Sequence, residues 1–294
     1  YSLLCKDGPF QHVTVAHFKC LLSHMGNTEL ITQLGSGELV LGHAGEKVTN
    51  HYSFYAVFKT PEEFRIVSGS KTLGTLPVDS LVLEGQHIVF AGKRWVVELV
   101  DVEKKVILVN RAKGGLPPKF GGAGMAIHDV VRQEMFKILR ESDYKIKVGE
   151  HRIEFADETA QSLFLEAANF FQTANLAENN FIQQGNRTVL LPWAGDKVVN
   201  TIVAVLIRKG VAAGAFAGII EIEKADAQDV IDALKSFLTD GTITADELAK
   251  SIPEKAIDKF DEYLPENLLV TGYAARVFDI DSAKIKVKEL LEVY

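Results

Sequence analysis

At the start of the chain, Val13, Ala16, Cys20 and Leu21 recur at helical spacing and predict a helix over His12–Met25, with Gly26-Asn27 as its stop. A strand-like run, Glu29–Leu34, then meets Gly35-Ser36-Gly37. Helix, strand, tight turn and strand is the order in which a winged-helix domain ends. Residues 1–30 are therefore expected to be the remnant of one.

From Glu38 onward the pattern shifts to short runs rich in Val, Ile, Phe and Tyr. They are Leu39–Gly42, Tyr52–Phe58, Phe64–Val67, Lys71–Leu76, His87–Phe90, Trp95–Val100 and Lys105–Val109. Turn residues separate them, among them Thr60-Pro61, Ser68-Gly69-Ser70 and Ala91-Gly92. Short strands at near-regular intervals predict a small antiparallel barrel or sandwich, taken as a β-barrel-like domain over 31–115.

The stretch Lys113–Gly124 holds too much Gly and Pro for regular structure, and with the following helix, about Met125–Arg140, it makes a connector over 116–150. Ile127, Val131, Met135, Ile138 and Leu139 fall on one side of that helix. Beyond it, helices are expected at Asp157–Leu176 (Asp157 as cap), Asp196–Arg208, Ala227–Leu238, Thr244–Lys250, Pro253–Tyr263 and Glu266–Val277. Strands are expected at Thr188–Leu191 and Ala215–Ile222, which makes 151–294 a helix-rich α+β domain. The fold class of the whole chain is α+β.

Composition narrows this little. With 47% hydrophobic and 24% charged residues the 294-residue chain has ample material for packed cores, and wholesale disorder is excluded. No apolar run approaches the ~20 residues of a membrane span, so no membrane partner is expected. Two cysteines, Cys5 and Cys20, are too few for a disulfide scaffold, and a reducing, cytoplasmic setting is the expectation. The chain opens at Tyr1 inside an apolar segment and reads as a piece of a longer protein.

Charge changes the picture more. The net charge of −7 is unevenly spread: residues 91–152 carry 13 basic against 8 acidic side chains, whereas 153–294 carry 13 against 23. A basic middle in an acidic chain suits a phosphate backbone, although lysines also keep strands soluble.

Candidate chemistry is sparse. No G-x-x-x-x-G-K-[ST] is present, and Gly121-Gly122-Ala123-Gly124 lacks the lysine and hydroxyl that hold phosphate and magnesium. His17, Cys20 and His24 share a helical face, but without a Cys-x-x-Cys pair they read as ordinary helix residues rather than zinc ligands. His128-Asp129 with Arg132 and Glu134 reads as the start of a helix, Asp129 favouring its positive end, rather than as acid–base machinery. The best functional signal is a set of cations beside aromatics: Lys93-Arg94-Trp95, Lys104-Lys105, Arg111, Lys113 and Lys119-Phe120. A single-stranded nucleic acid is held in this way, phosphates on cations and bases on rings, unless Trp95 is core and the charges are merely solvated.

Several stretches resemble the region after the motor of Lhr-type (large helicase-related) superfamily 2 helicases, of the DEAD/DEAH-box kind. They are Ser53–Phe58, Phe64–Val67, Leu73–Pro77, Phe90–Trp95, Pro117–Gly122 and His128–Arg132; Leu191–Gly195 and Lys259–Pro265 resemble the tail of the same family less specifically. The resemblance implies an accessory C-terminal region whose parent chain is an ATP-dependent DNA helicase, with two RecA-like motor domains upstream. ATP and Mg are then cofactors of the missing motor, with none expected in this fragment, which lacks a P-loop and D-E-x-H and so is not itself an enzyme. The expected function is to guide or clamp single-stranded DNA (or RNA) for that motor, a DNA-repair type of activity. The candidate contacts are Lys93, Arg94, Arg111, Lys113, Lys119 and Arg132, with Trp95 as a stacking platform. The alternative is a docking scaffold that touches no nucleic acid.

Overall fold

The computed structural model describes residues 1–56, 63–77, 87–90, 93–101, 104–111, 126–185, 187–223, 225–252 and 255–292. The architecture is α+β, with helices and several small sheets. The chain forms two compact units: Tyr1–Met125 with Asp258–Tyr263, and Ala126–Ile257 with Leu264–Tyr294.

In the first unit, α1 (Val15–Asn27) starts where the Thr14 hydroxyl accepts the His17 amide at 3.2 Å. A hairpin of β1 (Ile31–Gln33) and β2 (Leu39–Leu41) follows, with Ile31 opposite Leu41. Next comes α2 (His43–Asn50), a helix that the apolar pattern does not announce, since none of its larger side chains is buried. Tyr52–Tyr55 is a 3-10 turn and not the strand expected over Tyr52–Phe58. His51 bends the backbone there: its carbonyl accepts the Phe54 amide at 2.9 Å, and its Nδ1 accepts the Ser53 amide. Residues 57 and 58 lie outside the described residues.

Five strands then build one sheet: β3 (Glu63–Ser68), β4 (Lys71–Pro77), β5 (His87–Phe90), β6 (Lys93–Asp101) and β7 (Val106–Arg111). Their order is β4-β3-β7-β6-β5, and β3 runs parallel to β7. The expected antiparallel β-barrel-like domain is therefore corrected to an open mixed sheet among the described residues. The reason lies in the strand count and pairing. Leu39–Leu41 pairs with β1, Tyr52–Tyr55 is not a strand, and the parallel β3–β7 pair joins two hairpins at the sheet centre, leaving β4 and β5 as edges. One sheet face is apolar by the two-residue period: Phe64, Ile66, Trp95, Val97, Ile107 and Val109 are buried together.

The segment 258–263 is not the helix expected over Pro253–Tyr263; only Asp261–Tyr263 forms a short 3-10 turn. The Asp261 carboxylate accepts the Asp258 amide at 2.8 Å and diverts that backbone from a helical ladder. Lys259 donates through Nζ to the carbonyls of Phe54 and Ala56, and the Phe260 ring lies 5.9 Å from that of Phe54.

The second unit begins with α3 (Asp129–Glu141), a hairpin of β8 (Ile146–Val148) and β9 (His151–Ile153), and α4 (Glu158–Thr173). Asp157 caps α4 by accepting the Ala160 amide at 2.8 Å, as its sequence position suggests. Of the apolar residues expected along one face of α3, Val131 and Met135 are exposed, while Leu139 and the neighbouring Phe136 pack inward.

A four-stranded antiparallel sheet forms next, from β10 (Phe181–Gln184), β11 (Arg187–Leu190), β12 (Ala213–Phe216) and β13 (Ile219–Glu223), in the order β10-β11-β13-β12. The single strand expected at Ala215–Ile222 is a hairpin. Ala217 and Gly218 both take positive φ, +52° and +83°, as a tight primed turn requires. Between β11 and β12 runs α5 (Asp196–Arg208), whose Val198, Val199, Ile202, Val205 and Leu206 are buried at helical spacing. Around it stand α6 (Ala227–Thr239), α7 (Ala245–Lys250), α8 (Glu266–Val277) and α9 (Ile280–Leu291), with Leu190, Ile220, Ile222, Leu234 and Val287 in the same core.

Candidate nucleic-acid interface

The β6–β7 hairpin decides which cations share a place. Trp95 stands opposite Arg111, and Val97 opposite Val109. Lys93 precedes Trp95 by two residues, so Lys93, Trp95 and Arg111 fall on one face at one end of the sheet. Lys93 and Arg111 are exposed. Trp95 lies between them and is 6% exposed, with the Arg111 guanidinium 5.8 Å from its ring centroid. This corrects the stacking-platform expectation: the indole packs against Phe64, Ile66, Val97, Ile107 and Val109, so it offers a base almost no free face.

Arg94 lies in β6 opposite Val89. Lys104 and Lys105 sit at the far turn of the same hairpin, roughly 20 Å away along six strand residues. Lys104 is paired there with Asp101 at 3.1 Å. Lys113 and Lys119 lie outside the described residues, as does the motif Pro117–Gly122.

Arg132 is placed differently from the expectation. It lies in α3 in the second unit, with 13% of its side chain exposed and Nη2 3.7 Å from Asp196. A Cβ on Gly218 would come within 2.7 Å of the guanidinium carbon, so the β12–β13 turn closes directly over the Arg132 head. Its buried Nε has no hydrogen-bond partner. Arg132 is thus committed to packing and is corrected from a phosphate contact to an internal strut.

Around Arg132 the motifs His128–Arg132 and Leu191–Gly195, with the flanking Ile127 and Asp196, clasp each other. The Asp129 carboxylate accepts the Gly195 amide at 2.7 Å, the Asp196 carboxylate accepts the Ile127 amide at 2.8 Å, and the Asp196 amide donates to the Ile127 carbonyl at 2.9 Å. Each aspartate thereby satisfies a backbone donor of the other segment. Sequence reasoning saw both stretches but not their partnership. The two acids begin helices 67 residues apart, as the helix bounds at Asp129 and Asp196 give. Beside the clasp, Phe136, Phe171 and Trp193 form a triangle of edge-to-face rings with centroids 5.4 to 5.7 Å apart.

Among the described residues no group of three or more His, Cys, Asp or Glu side chains is arranged to hold a metal ion, and no helix is long and apolar enough to cross a membrane. Compared with known proteins, the chain matches no family model, no curated protein and no solved structure.

Proposed function

We propose that this chain is the accessory C-terminal region of an Lhr-type superfamily 2 helicase, guiding a single nucleic-acid strand for a RecA-like motor elsewhere in the parent chain. In this reading the α1–β1–β2 order at the start is the end of a winged-helix domain, and α3 with the segment before it is the connector. ATP and Mg belong to the motor. The fragment performs no chemistry of its own and works in the cytoplasm.

The observation that carries the reading is the Trp95–Arg111 register. It gathers Lys93 and Arg111 at one sheet end, on strands that also bear Arg94. Two exposed cations held on paired strands suit consecutive phosphates, and strand pairing removes part of the ordering cost of a flexible loop. The second reading, a docking scaffold, draws on exposed apolar side chains of the second unit, among them Val130, Val131, Phe155, Leu163 and Leu165.

Anisotropy titration with a labelled oligothymidylate separates the two. Strand guidance predicts binding at low salt that falls steeply as salt is added. Absence of binding at low salt overturns it in favour of the scaffold.

A further inference from the structure

The second unit contains a cleft of about 230 Å³ beside the ring triangle. Phe136, Pro192 and Trp193 contribute its apolar wall, and Gln133, Asn180, Lys286 and Glu289 its polar part. The volume falls below the ~300–1,000 Å³ of clefts that take drug-sized ligands, and it suits a single planar ring system.

Two features set the wall apart from ordinary packing. Trp193 holds φ at +51°, a left-handed backbone that a bulky side chain rarely adopts, and such strain gathers at ligand sites. Its indole N–H is sealed from solvent and has no hydrogen-bond partner, an unmet donor that a merely structural tryptophan usually satisfies.

The polar part has its own signature. Gln133 is exposed and Asn180 half-buried at the cleft, and an Asn or Gln amide presents one donor and one acceptor to a base edge. Lys286 brings a cation to the same cleft, held by Glu289 one turn along α9.

We propose that this cleft binds one unpaired nucleobase, the ring lying against Trp193, its edge read by Gln133 and Asn180, and its phosphate met by Lys286. The proposal deepens the strand-guiding reading and rests on it for the source of the base; a free nucleotide offers the same chemistry.

The test follows the two indole ¹H–¹⁵N resonances of the full chain, assigned with Trp193→Phe, during titration with 5′-dAMP, with deoxyribose 5-phosphate and with oligodeoxyadenylate. The Trp193 resonance is expected to shift with dAMP and with the oligonucleotide but not with the sugar phosphate. Gln133→Ala with Asn180→Ala, both near the surface, should weaken the dAMP effect roughly tenfold, the scale of one amide–base pair. A shift with dAMP alone supports the nucleobase site and assigns it to free nucleotides. No shift of Trp193 with any base-bearing probe overturns the site, even where salt-dependent strand binding persists. Loss of strand binding together with all shifts overturns both readings. An unchanged dAMP response in the double variant also overturns the site as drawn.

Discussion

Asp129 and Gly195, 66 residues apart in sequence, are joined by a 2.7 Å hydrogen bond from the Gly195 amide to the Asp129 carboxylate. The same junction is closed in reverse by Asp196, which accepts the Ile127 amide. The backbones are so close that a Cβ on Gly195 would lie 2.6 Å from the Asp129 nitrogen and 2.8 Å from the Ile127 oxygen. Gly195→Ala should therefore destabilise the second unit by about 1–3 kcal/mol, through forced separation of the two segments. Asp129→Ala should cost about 1–2 kcal/mol, and combining it with Asp196→Ala should cost measurably more or less than the two separate losses. Urea unfolding of the four members of the cycle reads this. Strict additivity would count against a shared clasp.

Trp95 gives a prediction of the opposite kind from a surface contact. Its ring is enclosed by Phe64, Ile66, Val97, Ile107 and Val109. Trp95→Ala should thus cost roughly 3–5 kcal/mol of stability in the first unit. Lys93→Glu, at an exposed site, should change stability by no more than about 0.5 kcal/mol. Thermal melting of both variants, followed by near-ultraviolet circular dichroism, checks the pair.

The pH dependence has a specific anchor in Asp240. Lys209 Nζ donates to its carboxylate at 2.8 Å, and the Thr242 hydroxyl and amide add bonds at 2.6 and 3.0 Å. These partners hold its carboxyl well below the usual carboxylate range, the Lys209 bond contributing most. Because the folded-state value lies below the unfolded one, the stabilisation is complete above the ordinary aspartate value of about 4 and is lost as pH falls toward the lower folded value. Asp240→Asn should lower the melting temperature at neutral pH and flatten the acid limb below about pH 4. An acid limb identical to that of the parent chain would contradict the assignment.

How much of this was legible in the sequence follows from what each signal measures. The helices α5 and α8 stand at Asp196–Arg208 and Glu266–Val277, the bounds that apolar spacing predicts, because such spacing and helix burial are the same physical fact. The small strands β8 and β9 escaped because each is only three residues long and exposed throughout. Long-range pairing was invisible in principle: nothing in the run from Glu63 to Ser68 says that it lies parallel to Val106–Arg111. The candidate site divides along the same line. The cations could be found as a group, but only strand register separates Lys93 and Arg111 from Lys104, and only packing removes Trp95 and Arg132 from the contact set.

The central claim, that the Lys93–Arg111 end of the sheet carries a strand by its phosphates, is tested most directly by the salt dependence of single-stranded DNA binding. Each phosphate contact contributes about 0.7 to the slope of log affinity against log salt for a single strand. Reversing Lys93 and Arg111 to glutamate should flatten that slope by roughly 1.4 while the variant still melts cooperatively. A reversed variant that binds with the slope and affinity of the parent chain would contradict the account.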